Sequence, residues 1–327
     1  MPAASFSPRI LFITSNRVGD AVLTTGILSW LLDRQPQARL TVACGPVAQD
    51  LFENIPQLER LIPMEKGRWS AHWRRLWQAC VGTRWDLVVD IRHSLFSYLV
   101  PARRRAVFSP SDQPVHKLIQ LARCLGAEPP PLPRLWLSEE QKTEAQRLIP
   151  AGTPVLAVGP TANWAGKQWP AQRFSELVSR LTAAGGLLPG ARVAVFGGPG
   201  EREAAAPVLE AVPAERCIDL VGRNGLNQAA ACLERCALYI GNDSGLMHLA
   251  GAAGVPTIGL FGPSREEVYG PFGDNALAVR THLPYRHFEA EQVFRQPRPL
   301  GLMDGIEVER VISAADWLIK HCHIVTS

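Results

Sequence analysis

Two hydrophobic rhythms alternate along the chain. Arg9 to Thr14 (RILFIT) is a short continuous apolar run, the pattern of a strand buried on both faces. Asn16-Arg17-Val18-Gly19-Asp20 is a turn. From Ala21 to Arg34 the spacing becomes helical, with Val22, Leu23, Ile27, Leu28, Leu31 and Leu32 on one side, and Pro36 stops it. Leu40 to Cys44 reads as a second strand closed by Gly45-Pro46, and Asp86 to Ile91 as a later one. Strands alternating with helices predict a parallel sheet with helical crossovers.

Pro129-Pro130-Pro131-Leu132-Pro133 interrupts this series. Ser138 to Ile149 has the form of a capped helix, and Pro150-Ala151-Gly152-Thr153-Pro154 that of a linker. A second series then begins: strand at Val155 to Val158, helix at Phe174 to Ala184, strand at Arg192 to Phe196, helix at Gln228 to Arg235. Glu307 to His321 closes it as a helix with Val308, Val311, Ile312, Ala315 and Leu318 on one stripe. The expectation is two α/β domains, residues 1–150 and 151–327, each on a doubly wound parallel sheet. A chain of 327 residues suits that division. Ligands of such sheets sit beyond the carboxyl ends of the strands, so the cleft between the domains is the expected site.

The strongest local pattern runs from Leu238 to Ser264: an apolar run, the polar turn Asn242-Asp243-Ser244-Gly245, a small-residue helix, and a second apolar run ending in Gly262-Pro263-Ser264. A helix start presents unpartnered N–H groups and the positive end of the dipole, which favours an anion such as a diphosphate. His248, four residues past Ser244 on the same helix face, reads either as a diphosphate contact or as a core histidine. Lys167 stands alone in a small-residue loop (TANWAGKQWP) after the first strand of the second series. It suits a phosphate or is a plain surface lysine, with Thr161 and Asn163 able to add hydrogen bonds. Gly197-Gly198-Pro199-Gly200 is a weak Gly-rich signal, and Glu201 either accepts from ribose hydroxyls or begins a helix. Asp20, after the first strand, is either a helix cap or a general base whose ionised form the helix start favours.

Composition narrows the classes. With 46% hydrophobic and 20% charged residues the chain is a soluble globular type. No apolar run approaches the roughly 18 residues that span a bilayer, and Met1 to Pro8 lacks the pattern of a secretory signal. Seven scattered cysteines read as free thiols of a reducing cytoplasm. No GxGxxG follows the first strand and no Walker sequence is present, against a nicotinamide dehydrogenase or P-loop kinase. No clustered Asp/His pattern suggests a divalent metal, and His321-Cys322-His323 lacks a partner motif. Residues 1–150 carry 19 Lys/Arg against 13 Asp/Glu, and the remainder 15 against 17. Ten basic residues fall within 60–105, interleaved with Trp69, Trp73, Trp77 and Trp85. Either this is a solvated face with core tryptophans, or it meets an anionic amphiphile such as a lipid surface or phosphorylated glycolipid. Nucleic acid is not expected, because no binding motif accompanies the charge.

Together these motifs resemble the lipopolysaccharide heptosyltransferases of glycosyltransferase family 9. The first strand with NRVGDAVLTTGIL, the KQWP loop and GNDSGLMHLAGAAGVPTIGLFGPS are similar to the family's segments in order and spacing. The resemblance implies a GT-B fold: two Rossmann-like domains facing a central cleft. It also implies an inverting, metal-independent transferase without a cofactor. The implied donor is ADP-L-glycero-D-manno-heptose and the implied acceptor the inner core of lipid A–linked lipopolysaccharide. Asp20 is then the general base. Lys167, Asp243, Ser244, Gly245 and His248 line the donor site, together with Thr161, Asn163 and Glu201. Gly19, Arg68, Arg103, Arg104 and Arg105 are expected on the acceptor side. The final helix should cross back to the first domain. The implied location is cytoplasmic, peripheral on the inner face of the inner membrane. His282 to Pro299 has no counterpart among these motifs. The rival readings are a GT-B enzyme or epimerase acting on another nucleotide sugar, and a non-catalytic nucleotide-sugar-binding protein. A binder would have no need of the intact Gly19-Asp20.

Overall fold

The computed structural model describes residues 7–65, 71–111, 113–291, 293–295, 301–322 and 324. The chain divides into two compact units, Met1–Trp136 and Leu137–Ser327.

The first unit holds strands β1 (Arg9–Ile13), β2 (Arg39–Cys44), β3 (Leu58–Pro63), β4 (Trp85–Asp90) and β5 (Ala102–Val107). They form one all-parallel sheet in the order β3-β2-β1-β4-β5. This is the Rossmann order, which reverses between β1 and β4. Both strands at the reversal are buried apolar runs, while edge strands β3 and β5 are largely exposed. Helices α1 (Val18–Arg34), α2 (Ala71–Cys80) and α3 (Lys117–Leu125) complete the unit. Leu11, Ile13 and Val88 pack with Leu76 of α2 and with Phe96 and Val100 on one face of the sheet. The Pro-rich segment is a strap on α1. The Arg134 N–H donates to Thr25 Oγ1 at 3.0 Å, and a Cβ at Gly26 would lie 2.5 Å from the Pro131 carbonyl oxygen. Only glycine permits that approach.

Helix α4 (Glu139–Leu148) opens on a capping box: Ser138 Oγ accepts from the Gln141 N–H at 3.2 Å while the Ser138 N–H donates to Gln141 Oε1 at 2.9 Å. The second unit continues with β6 (Val155–Gly159), α5 (Ala171–Thr182), β7 (Arg192–Val195), α6 (Arg202–Ala211), β8 (Cys217–Asp219) and α7 (Leu226–Leu233). Then come β9 (Leu238–Asn242), α8 (Gly245–Ala252), β10 (Thr257–Phe261), α9 (Glu266–Tyr269), β11 (Ala276–Arg280), α10 (Tyr285–Ala290) and α11 (Val308–His321). Its parallel sheet runs β11-β10-β9-β6-β7-β8, again the Rossmann order, reversing between β6 and β9.

Two expectations of domain layout change. The boundary falls at Trp136/Leu137 rather than after residue 150, because α4 packs against α7. Gln228 Nε2 donates to the Gln141 carbonyl at 3.1 Å and Arg235 Nε to that of Ile149 at 2.5 Å. The final helix was expected to return to the first domain. Instead α11 lies on α5, β10 and β11, its Val311, Ala315 and Leu318 in the core of the second unit. All seven cysteines are free thiols, and burial pushes those of Cys44, Cys80 and Cys124 up, to about 12, 11 and 11. Among the described residues no helix is long and apolar enough to cross a membrane.

Candidate functional site

At the reversal of the second sheet, the loops after β6 and β9 are tied together by side chains. Lys167, in a short 3₁₀ turn after β6, places Nζ 2.6 Å from Oδ2 of the buried Asp243 after β9. Asn242, the buried last residue of β9, works between the same loops. Its Nδ2 donates to the Pro160 carbonyl at 2.9 Å and its Oδ1 accepts from the Trp169 N–H at 3.0 Å. Trp169 is itself buried, and its indole N–H donates to the Ile306 carbonyl at 3.0 Å. The Trp-Pro pair thus anchors the loop that carries Lys167 and leaves the ammonium at the strand ends.

A second pair stands on the same loop. Thr161 Oγ1 donates to Glu201 Oε2 at 2.6 Å, and that carboxylate also accepts from the Gly198 N–H at 2.6 Å. The Gly-rich turn is therefore folded onto Glu201, just ahead of α6. Ser244 is the N-cap of α8 but gives no side-chain cap bond, Gly245 is the first helical residue, and His248 is buried on the same helix. The first N–H groups of α8 thus lack a side-chain acceptor from their own cap. Below them, Gly159 and Gly241 are register partners, and a Cβ on either would run into the Tyr239 hydroxyl. Burial pushes that phenol far above its ordinary range, against the opposing effect of the Ser244 hydroxyl. Asn163 is exposed and makes no hydrogen bond to another described residue, so it is not drawn into either pair. Phe294, from the stretch after His282 that has no counterpart among the sequence motifs, packs on this loop, its ring 5.8 Å from that of Trp164 and 5.9 Å from that of Tyr285.

At the reversal of the first sheet, α1 begins three residues earlier than its hydrophobic spacing suggests. Its N-cap is Arg17, without a side-chain bond. Asp20 is thus the third helical residue rather than the cap, and its Oδ2 accepts a long 3.4 Å contact from Ser15 Oγ. Two cations belong to this edge: Lys117, which sequence reasoning missed, and Arg92, counted there only as one of the basic residues of 60–105. Lys117, first residue of α3, holds Nζ 4.0 Å from the centroid of the Phe108 ring. Burial lowers its pKa, while the Asp20 charge works in the opposite sense. Arg92, just past β4, donates to Asn16 Oδ1 at 3.2 Å and lies over the Trp73 ring. Burial lowers its pKa also, opposed by Asp90. Asp90 is buried and accepts from the N–H groups of Arg92 and Ser94 at 2.9 and 3.1 Å and from Ser94 Oγ at 2.5 Å. For Arg92 the available signal was position: a polar residue immediately after a buried central strand.

The acceptor-side expectations divide. Gly19 is the second residue of α1. Arg68 lies outside the described residues, as do Lys66, Trp69 and His323. Arg103, Arg104 and Arg105 are successive residues of edge strand β5, so Arg104 points to the face opposite the other two. Arg105 is committed within the fold, donating to the carbonyls of Ser97 at 2.8 Å and Val100 at 2.9 Å. Trp85 is a core residue whose indole N–H donates to the Cys80 carbonyl at 3.1 Å.

Two Rossmann-type sheets, with anion-suited groups at the reversal of the second and a carboxylate and two cations at that of the first, fit the GT-B class of glycosyltransferases. The chain belongs to glycosyltransferase family 9 (heptosyltransferase), whose model matches residues 78–296. It is similar to lipopolysaccharide heptosyltransferase 2 of Escherichia coli strain K12, 27% identical over 352 residues and covering 95% of this chain and 98% of that protein. Among solved structures it resembles a family 9 glycosyl transferase from Veillonella parvula DSM 2008, with a TM-score of 0.79 at 24% identity over 97% and 99% of the two chains. It also resembles the E. coli ADP-heptose lps heptosyltransferase II, with a TM-score of 0.75 at 24% identity over 96% and 99%. The chain is a glycosyltransferase.

Proposed function

We propose that this enzyme transfers a heptose from ADP-L-glycero-D-manno-heptose to the lipid A–linked inner core of lipopolysaccharide, with inversion at the anomeric carbon. Support for sugar and acceptor comes from the lipopolysaccharide heptosyltransferase it resembles over nearly its whole length, and for the donor from the ADP-heptose enzyme of like fold. The observation that carries the chemistry is the Lys167–Asp243 pair at the sheet reversal, beside the open start of α8. A departing diphosphate gains there from an ammonium held in place and from helix N–H groups, both strongest where charge develops.

In this reading an acceptor hydroxyl forms the new bond to the anomeric carbon as the bond to the diphosphate oxygen breaks. ADP leaves with that electron pair, and Asp20 accepts the hydroxyl proton. Asp20 is free for this task because it caps no helix. Thr161 and Glu201 hold the ribose, and Ser244, Gly245 and His248 line the diphosphate. Gly19, Arg103 and Arg104 belong to the acceptor side. The reading is metal-independent: the ammonium of Lys167, paired with Asp243, and the N–H groups at the start of α8 take the charge of the leaving diphosphate. The enzyme would work on the cytoplasmic side of the inner membrane, where such a glycolipid is exposed.

The test is a transfer assay offering ADP-, UDP- and GDP-linked heptose with a core glycolipid, with and without EDTA. Turnover is expected from the ADP sugar alone, unchanged by chelator, with the product anomer opposite to that of the donor by NMR. Asp20→Asn should lower turnover by about 10²–10⁴-fold with ADP binding intact. Equal use of another nucleotide sugar, retention of configuration, or an active Asp20→Asn would each overturn its part of the reading.

A further inference from the structure

Four of the eight large apolar side chains left exposed among the described residues stand within one short stretch of the first unit: Trp77, Leu95, Tyr98 and Leu99, at 41%, 81%, 64% and 62% exposure. They line or border a groove of about 650 Å³ between α2 and the short 3₁₀ turn Leu95–Tyr98, walled by Trp73, Trp77, Leu95, Phe96 and Leu99 with Arg74 at its edge. The walls are fixed. The Trp77 indole N–H donates to the Leu99 carbonyl at 3.1 Å, and Trp73 packs 5.7 Å from Phe96. A patch of this kind, apolar and rimmed by charge, marks a surface that meets something.

The stretch of chain that forms it is strongly basic. Between residues 71 and 105 there are seven arginines and two aspartates. Asp90 is buried in its own hydrogen bonds, and Asp86 accepts from the Arg9 N–H at 2.9 Å. Arg74, Arg75 and Arg84 are exposed. Arg103 is exposed on the face of β5 that it shares with Arg105, whose guanidinium lies 5.9 Å from the Tyr98 ring centroid. Leucines that project from a surface, indole and phenol rings beside them, and a surrounding set of arginines match each layer of an anionic bilayer in turn: acyl chain, interface, headgroup.

We infer that the groove between α2 and the 95–98 turn docks this protein on an anionic phospholipid bilayer, Leu95 and Leu99 entering below the headgroups and the arginines lying along them. The inference rests on the reading above of a glycolipid acceptor at the membrane and assigns that contact to one face of the first unit.

The test is co-sedimentation of the full chain with vesicles of phosphatidylcholine, with and without a third of phosphatidylglycerol. Wild type should partition at least tenfold more onto the phosphatidylglycerol vesicles, and salt should weaken this. Leu95→Asp with Leu99→Asp should lower that partition at least tenfold with its circular dichroism unchanged, since both side chains are exposed. Arg74→Glu with Arg75→Glu should remove the preference for phosphatidylglycerol. The leucine variant should still turn over a delipidated, water-soluble core acceptor at the wild-type rate, which separates docking from catalysis. Because vesicle binding is read without any sugar, a failure of the heptose assignment leaves it untouched. Wild type that ignores phosphatidylglycerol vesicles, or a leucine variant that binds them as wild type does, overturns the inference. So does a leucine variant that converts a dimer to a monomer by light scattering while still binding vesicles, which would make the groove a self-association face.

Discussion

Lys167 and Asp243 form a pair in which each partner needs the other. Asp243 is buried, and its carboxylate has the Lys167 ammonium at 2.6 Å. Removing the lysine alone strands a buried charge, whereas removing both charges does not. Lys167→Met should therefore cost about 1–3 kcal/mol, and Lys167→Met with Asp243→Asn should cost less than that single change. Urea unfolding of the three variants reads the coupling, and additive effects would mean that the pair does not hold the loop. Lys117 presents the opposite balance. Burial lowers its pKa and the Asp20 charge only partly offsets this, so the fold carries the charged ammonium at a loss. That loss is fully present below the folded-state pKa and fades as pH rises toward the ordinary lysine range. Lys117→Met should be at least as stable as wild type near neutral pH, with the difference shrinking at alkaline pH. If Lys117 sets the field at Asp20, the same variant should lose at least tenfold in turnover. Stability and turnover falling together would instead make Lys117 a structural residue.

Among the elements, the strap on α1 gives the sharpest prediction. Alanine in place of a helical glycine normally stabilises by about 1 kcal/mol. At Gly26 the added Cβ would meet backbone carbonyls of Pro131 and Leu132, which cannot turn aside as a side chain could. Gly26→Ala should destabilise the first unit by about 1–3 kcal/mol, checked by thermal or urea unfolding. That contact also explains what the sequence could and could not reveal. Central strands β1, β2, β4, β6, β7 and β9 are buried on both faces, so each shows as a predominantly apolar run. The edge strands of the first sheet carry no such run: β3 reads LERLIP and β5 reads ARRRAV. Three adjacent arginines look like a cationic patch until strand alternation separates Arg104 from its neighbours. They also suit a sheet edge, where charge blocks pairing with another chain. Lys167 and Asp243 were legible because each follows a central strand in a loop of small residues. Lys117 was not, because it follows an edge strand and a long connection. The domain boundary and the seat of α11 were illegible for a related reason. A capped amphipathic helix declares that it has a buried face, but not which sheet will cover it.

At the scale of the whole molecule, charge and chemistry are partitioned. The first unit carries 17 Lys/Arg against 10 Asp/Glu, a net of +7, and the second 17 against 20, a net of −3. Each has its own sheet and its own core. Every pair assigned to the donor, Lys167 with Asp243, Thr161 with Glu201 and Asn242 with Trp169, joins residues of the second unit alone. A nucleoside diphosphate should therefore be held without help from the first unit, and its binding energy should appear as local stability in the second. Occupancy at a hundredfold excess over Kd adds about 2.7 kcal/mol against any opening that destroys the site. Hydrogen exchange of the full chain with and without ADP should show this as slowed exchange at residues 159–167, 197–201 and 242–248. The amides of β1 to β5 and of the start of α1 should be unchanged until an acceptor is also present. Equal protection of both sheets by ADP alone would mean that the nucleotide spans the two units, and the donor site would then have to be redrawn to include the loop that carries Asp20.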